Sequence, residues 1–326
     1  MFSVACNLAV RAFGVIESRL SIVLFHRVLA APDPMLPNEP DTVLFTQQMK
    51  WLQRGFNLLP LRQALTRLRS GNLPVGAVCV TFDDGYRDNA DHALPILSQL
   101  GIPATFFVTT RYLDGGLMWN DRIIEAARYW ATTAIDMARY GLEPATFDGG
   151  RAAAADQLLA RIKYLPYDQR EAVATDLFQR SGAQTTQLMM NEDDIRRLHR
   201  SGMEIGGHTV SHPILCTIGL EQARTEIAAN KSHLEAIIGS SIETFAFPNG
   251  RPHQDYDARH VAVVRDCGYR QALTTAAGTA TAGTSAWQLP RFTPWDRSQA
   301  KYLARMLQNY FRAPVVVSES VDADTR

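Results

Sequence analysis

Hydrophobic residues in this chain gather into short unbroken runs, separated by longer stretches in which they recur every three or four positions. The runs at 21–25, 78–82 and 104–108 are rich in Val, Ile and Phe and show little polar alternation, the pattern of strands covered on both faces. Shorter runs at 56–59, 203–205, 244–247 and 271–274 predict further strands, followed by a short segment at 289–292. Helical spacing predicts helices over 45–54, 61–68, 191–199, 219–238, 255–267 and 298–311. Another runs to Leu100, with Asp88 or Asn89 as its cap and Pro95 as a kink or the start of its regular part. Strand, helix and strand at this spacing argue for parallel β-α-β units.

The rhythm changes from 114 to 190, a long helical stretch without a convincing strand, read as an insertion on the main body. The chain thus divides into a helical N-terminal extension over 1–20, a main α/β body over 21–313 and a frayed tail over 314–326. A Gly/Ala/Thr run over 275–285 interrupts the last third as a flexible connection.

Several strands stop abruptly at polar residues. The run ending at Phe82 meets Asp83, Asp84 and Gly85, and the run ending at Phe25 meets His26 and Arg27. Carboxylates at the C-terminal end of a buried strand sit where α/β folds place their chemistry. Two neighbouring acids at a turn point in different directions, so one can bind a cation while the other takes a proton; the residues alone leave open which does which. An Asp-Gly hairpin or a helix cap would give the same local pattern.

A second polar turn follows the strand near 205: Gly206-Gly207-His208-Thr209-Val210-Ser211-His212-Pro213. Two histidines four apart share one face of a helical turn, so both imidazoles reach one ion, and the glycines leave room for close approach. One Asp with two His makes three protein ligands, the number that leaves a position open for water in catalytic zinc sites.

Composition adds exclusions. The chain has 326 residues, 46% of them apolar, enough for one large α/β barrel or two modest domains. Basic and acidic residues number 33 each, which gives no electrostatic case for nucleic acid or an acidic membrane as partner. Cys6, Cys79, Cys216 and Cys267 are scattered, so a reducing, cytoplasmic setting is the simpler expectation. The first sixteen residues are too short for a membrane span and lack a cleavage site, though an amphipathic helix touching a membrane is an alternative.

Thr81-Phe82-Asp83-Asp84-Gly85 together with His208-Thr209-Val210-Ser211-His212 resembles the NodB-type polysaccharide deacetylases, carbohydrate esterase family four. The resemblance extends to the strand at 104–108, the approach 198–205 and Phe247-Pro248-Asn249-Gly250, similar to that family's Pro-x-Gly segment. It implies a distorted TIM-like (β/α) barrel with a helical insertion, binding one divalent metal, zinc first, with Co²⁺, Ni²⁺ or Fe²⁺ also accepted. It further implies Asp84, His208 and His212 as ligands, Asp83 as general base and Arg291 as the residue that orients it.

One departure stands out. The family's late Leu-x-His segment, source of its general acid, is missing near Tyr302-Leu303-Ala304-Arg305, and His26 resembles the N-terminal histidine of members with a permuted barrel. Pro248, Asn249, Gly250 and Trp119 are the candidate substrate contacts, and Trp287 and Trp295 could stack on sugar rings. The expected reaction is removal of N-acetyl groups from an amino-sugar polysaccharide or its lipid-linked precursor, a carbohydrate partner, with the oligomeric state left open. A deformylase or small-molecule amide hydrolase, or a dead carbohydrate-binding barrel, are the rival readings.

Overall fold

The computed structural model describes residues 18–184 and 187–318. The extension expected over 1–20 falls almost wholly outside the described residues, as does the end of the tail, 319–326. The first half of the main body consists of β1 (Leu20–Phe25), α1 (Thr42–Gly55), β2 (Asn57–Leu58), α2 (Leu61–Arg69), β3 (Ala77–Phe82), α3 (Leu94–Leu100) and β4 (Ala104–Val108). The insertion follows as α4 (Trp119–Tyr129), β5 (Ala134–Ile135), β6 (Ala145–Thr146), α5 (Arg151–Ile162) and α6 (Tyr167–Ser181). The body then resumes with α7 (Glu192–Arg200), β7 (Glu204–Gly207), α8 (Leu220–Ile238), β8 (Thr244–Ala246), α9 (Ala258–Asp266), β9 (Gln271–Leu273) and α10 (Gln299–Tyr310).

The main strands run parallel in the order β1-β3-β4-β7-β8-β9, with β2 beside the start of β3. Leu289 bridges Leu273, and Phe292 bridges Val23, so the segment 289–292 joins the two edge strands and curls the sheet into a distorted barrel. Hydrogen bonds from Thr274 to Leu289 O (2.9 Å) and from Leu24 to Phe292 O (3.0 Å) hold that seam. Closure leaves no unpaired edge there.

Because side chains alternate across a strand, the continuous apolar runs feed two cores. Val23, Phe25, Val80, Phe82 and Phe106 face the surrounding helices, with Phe82 stacked on Phe106 at 4.7 Å. Leu20, Ile22, Cys79, Phe107 and Leu289 fill the other side, within the curl. The same alternation, carried past the strand ends, puts His26 in line with Leu20 and Ile22, Asp83 with Cys79 and Thr81, and Arg291 with Leu289. Among the described residues no helix is long and apolar enough to cross a membrane.

Three local expectations are corrected. The insertion contains a short antiparallel pair, β5 with β6, whose two-residue strands are too brief to show alternation in sequence. Neither Asp88 nor Asn89 caps a helix: a π-turn over Asn89–Ala93 leads into α3. Asp88 instead accepts from Arg27 Nε (2.8 Å) and from the Val28 N–H (3.2 Å), because a strand-end cation outcompetes a cap. The third concerns the histidine turn, described next.

Candidate active site

The acidic turn is fixed by its backbone. Asp83 donates its N–H to Phe25 O (3.0 Å), aligning the ends of β3 and β1 so that His26 and Asp83 open on the same mouth. Asp84 lies in the left-handed region at φ 75°, and Gly85 at φ 88° packs so closely on Val108 that an added Cβ would come within 2.9 Å of it. Asp84 therefore turns away from Asp83 instead of continuing the strand.

The histidine pair is not on a helical turn. Thr209 (φ 68°) and His212 (φ 56°) are both left-handed, so the chain doubles back after β7 and brings the rings to 4.9 Å between centroids. Three of the five described non-glycine residues with positive φ, Asp84, Thr209 and His212, lie in these two turns, which is where strain is expected in a functional site. Gly206 and Gly207 do allow a close approach, that of the Phe107 ring and the Tyr269 hydroxyl, which an added Cβ would meet at 2.4 Å and 2.0 Å.

The two turns converge. Asp84 Oδ1 lies 3.4 Å from His208 Nε2 and 3.3 Å from His212 Nε2, and one ligand atom from each of the three residues falls within 4.8 Å of the others. His208 Nδ1 is 2.7 Å from Ala246 O, which assigns that nitrogen the proton and leaves the Nε2 lone pair on the side it shares with Asp84. Burial pushes the His212 imidazole toward its neutral form. Burial alone would raise Asp84, and the histidines around it, His212, His208 and His26, bring it below the ordinary carboxylate value.

Asp83 is held separately. Arg291, fully buried, donates Nη1 to Asp83 Oδ1 and Nη2 to Oδ2, both at 2.7 Å, a two-pronged fork. Burial again acts to raise Asp83, and the Arg291 guanidinium outweighs it. Arg291 is fixed in turn by Thr274 O (3.1 Å). At His26 burial acts downward, while the Asp84, Glu39 and Asp83 carboxylates raise its pKa above the ordinary value.

A cavity of about 370 Å³ opens over this cluster, lined by His26, Asp83, Asp84, His208 and His212 together with Trp119 and Asn249. Pro248 and Gly250, expected as substrate contacts, are not among its lining residues: Gly250 donates to Pro248 O (2.6 Å) and accepts from Thr275 (2.9 Å), shaping the turn that presents Asn249. Trp287 packs against the core, whereas Trp295 is 53% exposed.

The family model for polysaccharide deacetylase matches residues 70–272, more than half of the chain. The chain belongs to the polysaccharide deacetylase family. Its members are hydrolases of linear amide C–N bonds other than peptide bonds, and so is this enzyme. The curated Bacillus subtilis protein YxkH is 20% identical over 276 residues, covering 84% of this chain and 71% of its own. The Streptococcus pyogenes deacetylase PplD, solved in complex with acetate, superposes with a TM-score of 0.59 at 18% identity, over 91% of this chain and 100% of that one. IcaB from Ammonifex degensii gives 0.55 at 18% identity, over 87% and 97%. At these identities the two solved structures speak for the fold.

Several residues of the deacetylase site escape sequence reasoning. Glu39, from the Pro-rich loop, and Lys163, from the insertion, line the cavity without any motif to mark them. Asp121, whose carboxylate accepts from Tyr86 OH (2.9 Å), is pushed up to about 7 by burial. Asn230 does leave a signal, as the polar member of the buried stripe Ala223, Ile227, Asn230, Leu234 and Ile237 on α8. Its amide accepts from the His208 N–H (3.0 Å) and donates to Val108 O (3.0 Å) and Thr209 O (2.6 Å), tying two strand ends together.

Proposed function

We propose that this deacetylase removes N-acetyl groups from an amino-sugar polysaccharide or its lipid-linked precursor, aided by one divalent cation, with zinc the first expectation. The observation that carries it is the convergence of Asp84, His208 and His212 beside an independently buttressed Asp83. The donor set fits a cation: one ionised carboxylate and two Nε2 lone pairs, with His208 oriented from behind by Ala246 O. When bound, such an ion acidifies a water molecule and polarises the amide carbonyl.

Asp83 is the general base. Arg291 keeps it ionised and aimed into the cavity, so that it accepts the proton of the attacking water. His26 is the general acid, lining the same cavity and held toward its protonated form by nearby carboxylates, and it supplies a proton to the departing amine nitrogen. Acetate, the small molecule in the PplD complex, is the second product of that reaction.

The test combines acetate release with metal analysis. Asp83→Asn should lower turnover about a thousandfold with metal content intact, His26→Gln about a hundredfold, and His208→Ala should lose the metal. Full activity in Asp83→Asn or His208→Ala sinks the reading, and release of formate in place of acetate would redirect it to a deformylase.

A further inference from the structure

A second cavity, of about 740 Å³, adjoins the first. His26, Lys163, Asn249 and Thr275 line both, so the two chambers meet along that seam. Their charges differ in sign. The first holds the carboxylates of Glu39, Asp83, Asp84 and Asp121 against the cations Arg27 and Lys163. Among the described residues no Asp or Glu lines the second; besides Arg291, which is committed to Asp83, it gathers the cations Lys163, Arg251, Arg305 and Arg312 around the exposed ring of Trp295.

Local pairing accounts for only one of these cations. Arg305 is bonded to Asp296 and lies over the Trp295 ring at 4.8 Å. Asp255, beneath Arg251, already accepts the Arg251 backbone N–H (2.9 Å) and the Tyr164 hydroxyl (3.2 Å). Neither Lys163, Arg251 nor Arg312 has a carboxylate in ion-pair contact among the described residues, and burial pushes the Lys163 ammonium below its usual value. Like charges along one concave wall repel, yet among the described residues no acidic side chain lines it. An electropositive chamber beside an acid-lined one is a poor host for a uniformly neutral glycan and a good one for a ligand whose charge is unevenly placed.

We propose that this second chamber binds the anionic group of an acidic glycan, a carboxylate or phosphate carried next to the N-acetylated sugar, while that sugar's acetamide lies against Asp83, Asp84, His208 and His212. The assignment rests on the deacetylase reading above and names its substrate class. Arginine forks match the planar oxygens of carboxylate and phosphate, and the Trp295 ring offers a face on which a sugar can stack.

Three probes test it: neutral N-acetylchitotetraose, a heparosan tetrasaccharide bearing glucuronate carboxylates, and an N-acetylchito-oligosaccharide carrying a terminal phosphate. Acetate release by the metal-loaded enzyme should favour an acidic probe about tenfold in kcat/KM at low salt, with the preference shrinking near about 0.5 M salt. Whichever acidic probe is preferred identifies the anion. The double variant Arg251→Gln/Arg312→Gln should bring the acidic-to-neutral ratio down about tenfold, mainly through KM. Calorimetric binding to the inactive Asp83→Asn enzyme reads the chamber independently of turnover and should give the same tenfold preference, lost when Arg251→Gln/Arg312→Gln is added. Equal binding and equal turnover of acidic and neutral probes overturn the chamber's assignment and leave the deacetylase reading intact. Preferential binding with no acetate release from any probe would spare the chamber and count against the deacetylase reading.

Discussion

Arg291 and Arg170 are both wholly buried, yet they are held in opposite ways. Arg291, at the barrel seam, forks onto Asp83 and is braced by Thr274 O. Arg170, in the insertion, lies over the rings of Trp119 (4.9 Å) and Tyr167 (5.4 Å), its three guanidinium nitrogens lacking hydrogen-bond partners among the described residues. Its carboxylate neighbour, Glu171, stands 3.6 Å away. The barrel settles its charges by directed bonds that set a reacting group, whereas the insertion settles one by aromatic faces that set only shape.

The sharpest way to break that contrast is to remove each arginine. Arg291→Met leaves Asp83 buried and unpaired, and should cost about 3–5 kcal/mol in denaturant unfolding. In the wild type the folded pKa of Asp83 lies below its unfolded value, so its stabilising contribution is present above the unfolded pKa and lost as pH falls through the folded one. Without the guanidinium the strongest influence opposing burial is gone, and the Asp83 pKa rises. The acid limb of the pH–rate profile should then move upward, and an unmoved limb would show that Arg291 does not keep the base ionised. Arg291→Lys should recover little, since an ammonium cannot form the fork.

Asn230→Ala comes next. It strands backbone groups at the ends of β4 and β7, for about 3 kcal/mol of stability, and should weaken metal retention through His208. Chelation of metal-loaded protein should lower stability by nearly as much, about 2.7 kcal/mol for an ion at a hundred times its Kd. Hydrogen exchange should then quicken at 204–212 and not across 119–181; a uniform response would erase the distinction between barrel and insertion. Arg170→Met should have the smallest effect, within about 1 kcal/mol in either direction, because an apolar side chain replaces a charge without directed bonds. A loss as large as that of Arg291→Met would mean the two arginines are equivalent after all.

Much of this was legible from local pattern. The runs at 21–25, 78–82 and 104–108 mark strands because burial on both faces leaves no polar alternation, and Asn191 opens α7 with a side-chain cap of the expected kind. The histidine spacing suits a helical turn, and the left-handed backbone at Thr209 and His212 that replaces it leaves no mark in a pattern without glycine at those positions. That Asn249 lines the cavity while Pro248 and Gly250 do not is invisible in the motif, because the turn's shape depends on Thr275 packing from another strand's end.

The chain's own residues were enough to declare parallel β-α-β units, an acidic turn after one strand and a histidine turn after another, since each depends on neighbours within a few positions. Which of those turns meet, and that a segment after a flexible run returns to join β9 to β1 and so delivers Arg291 to Asp83, emerged only once the sheet had curled and closed. The reason is geometric: side-chain alternation says which face a residue takes, but the strands on either side of it, and hence the partner it finds across the mouth, are set by contacts between segments remote along the chain.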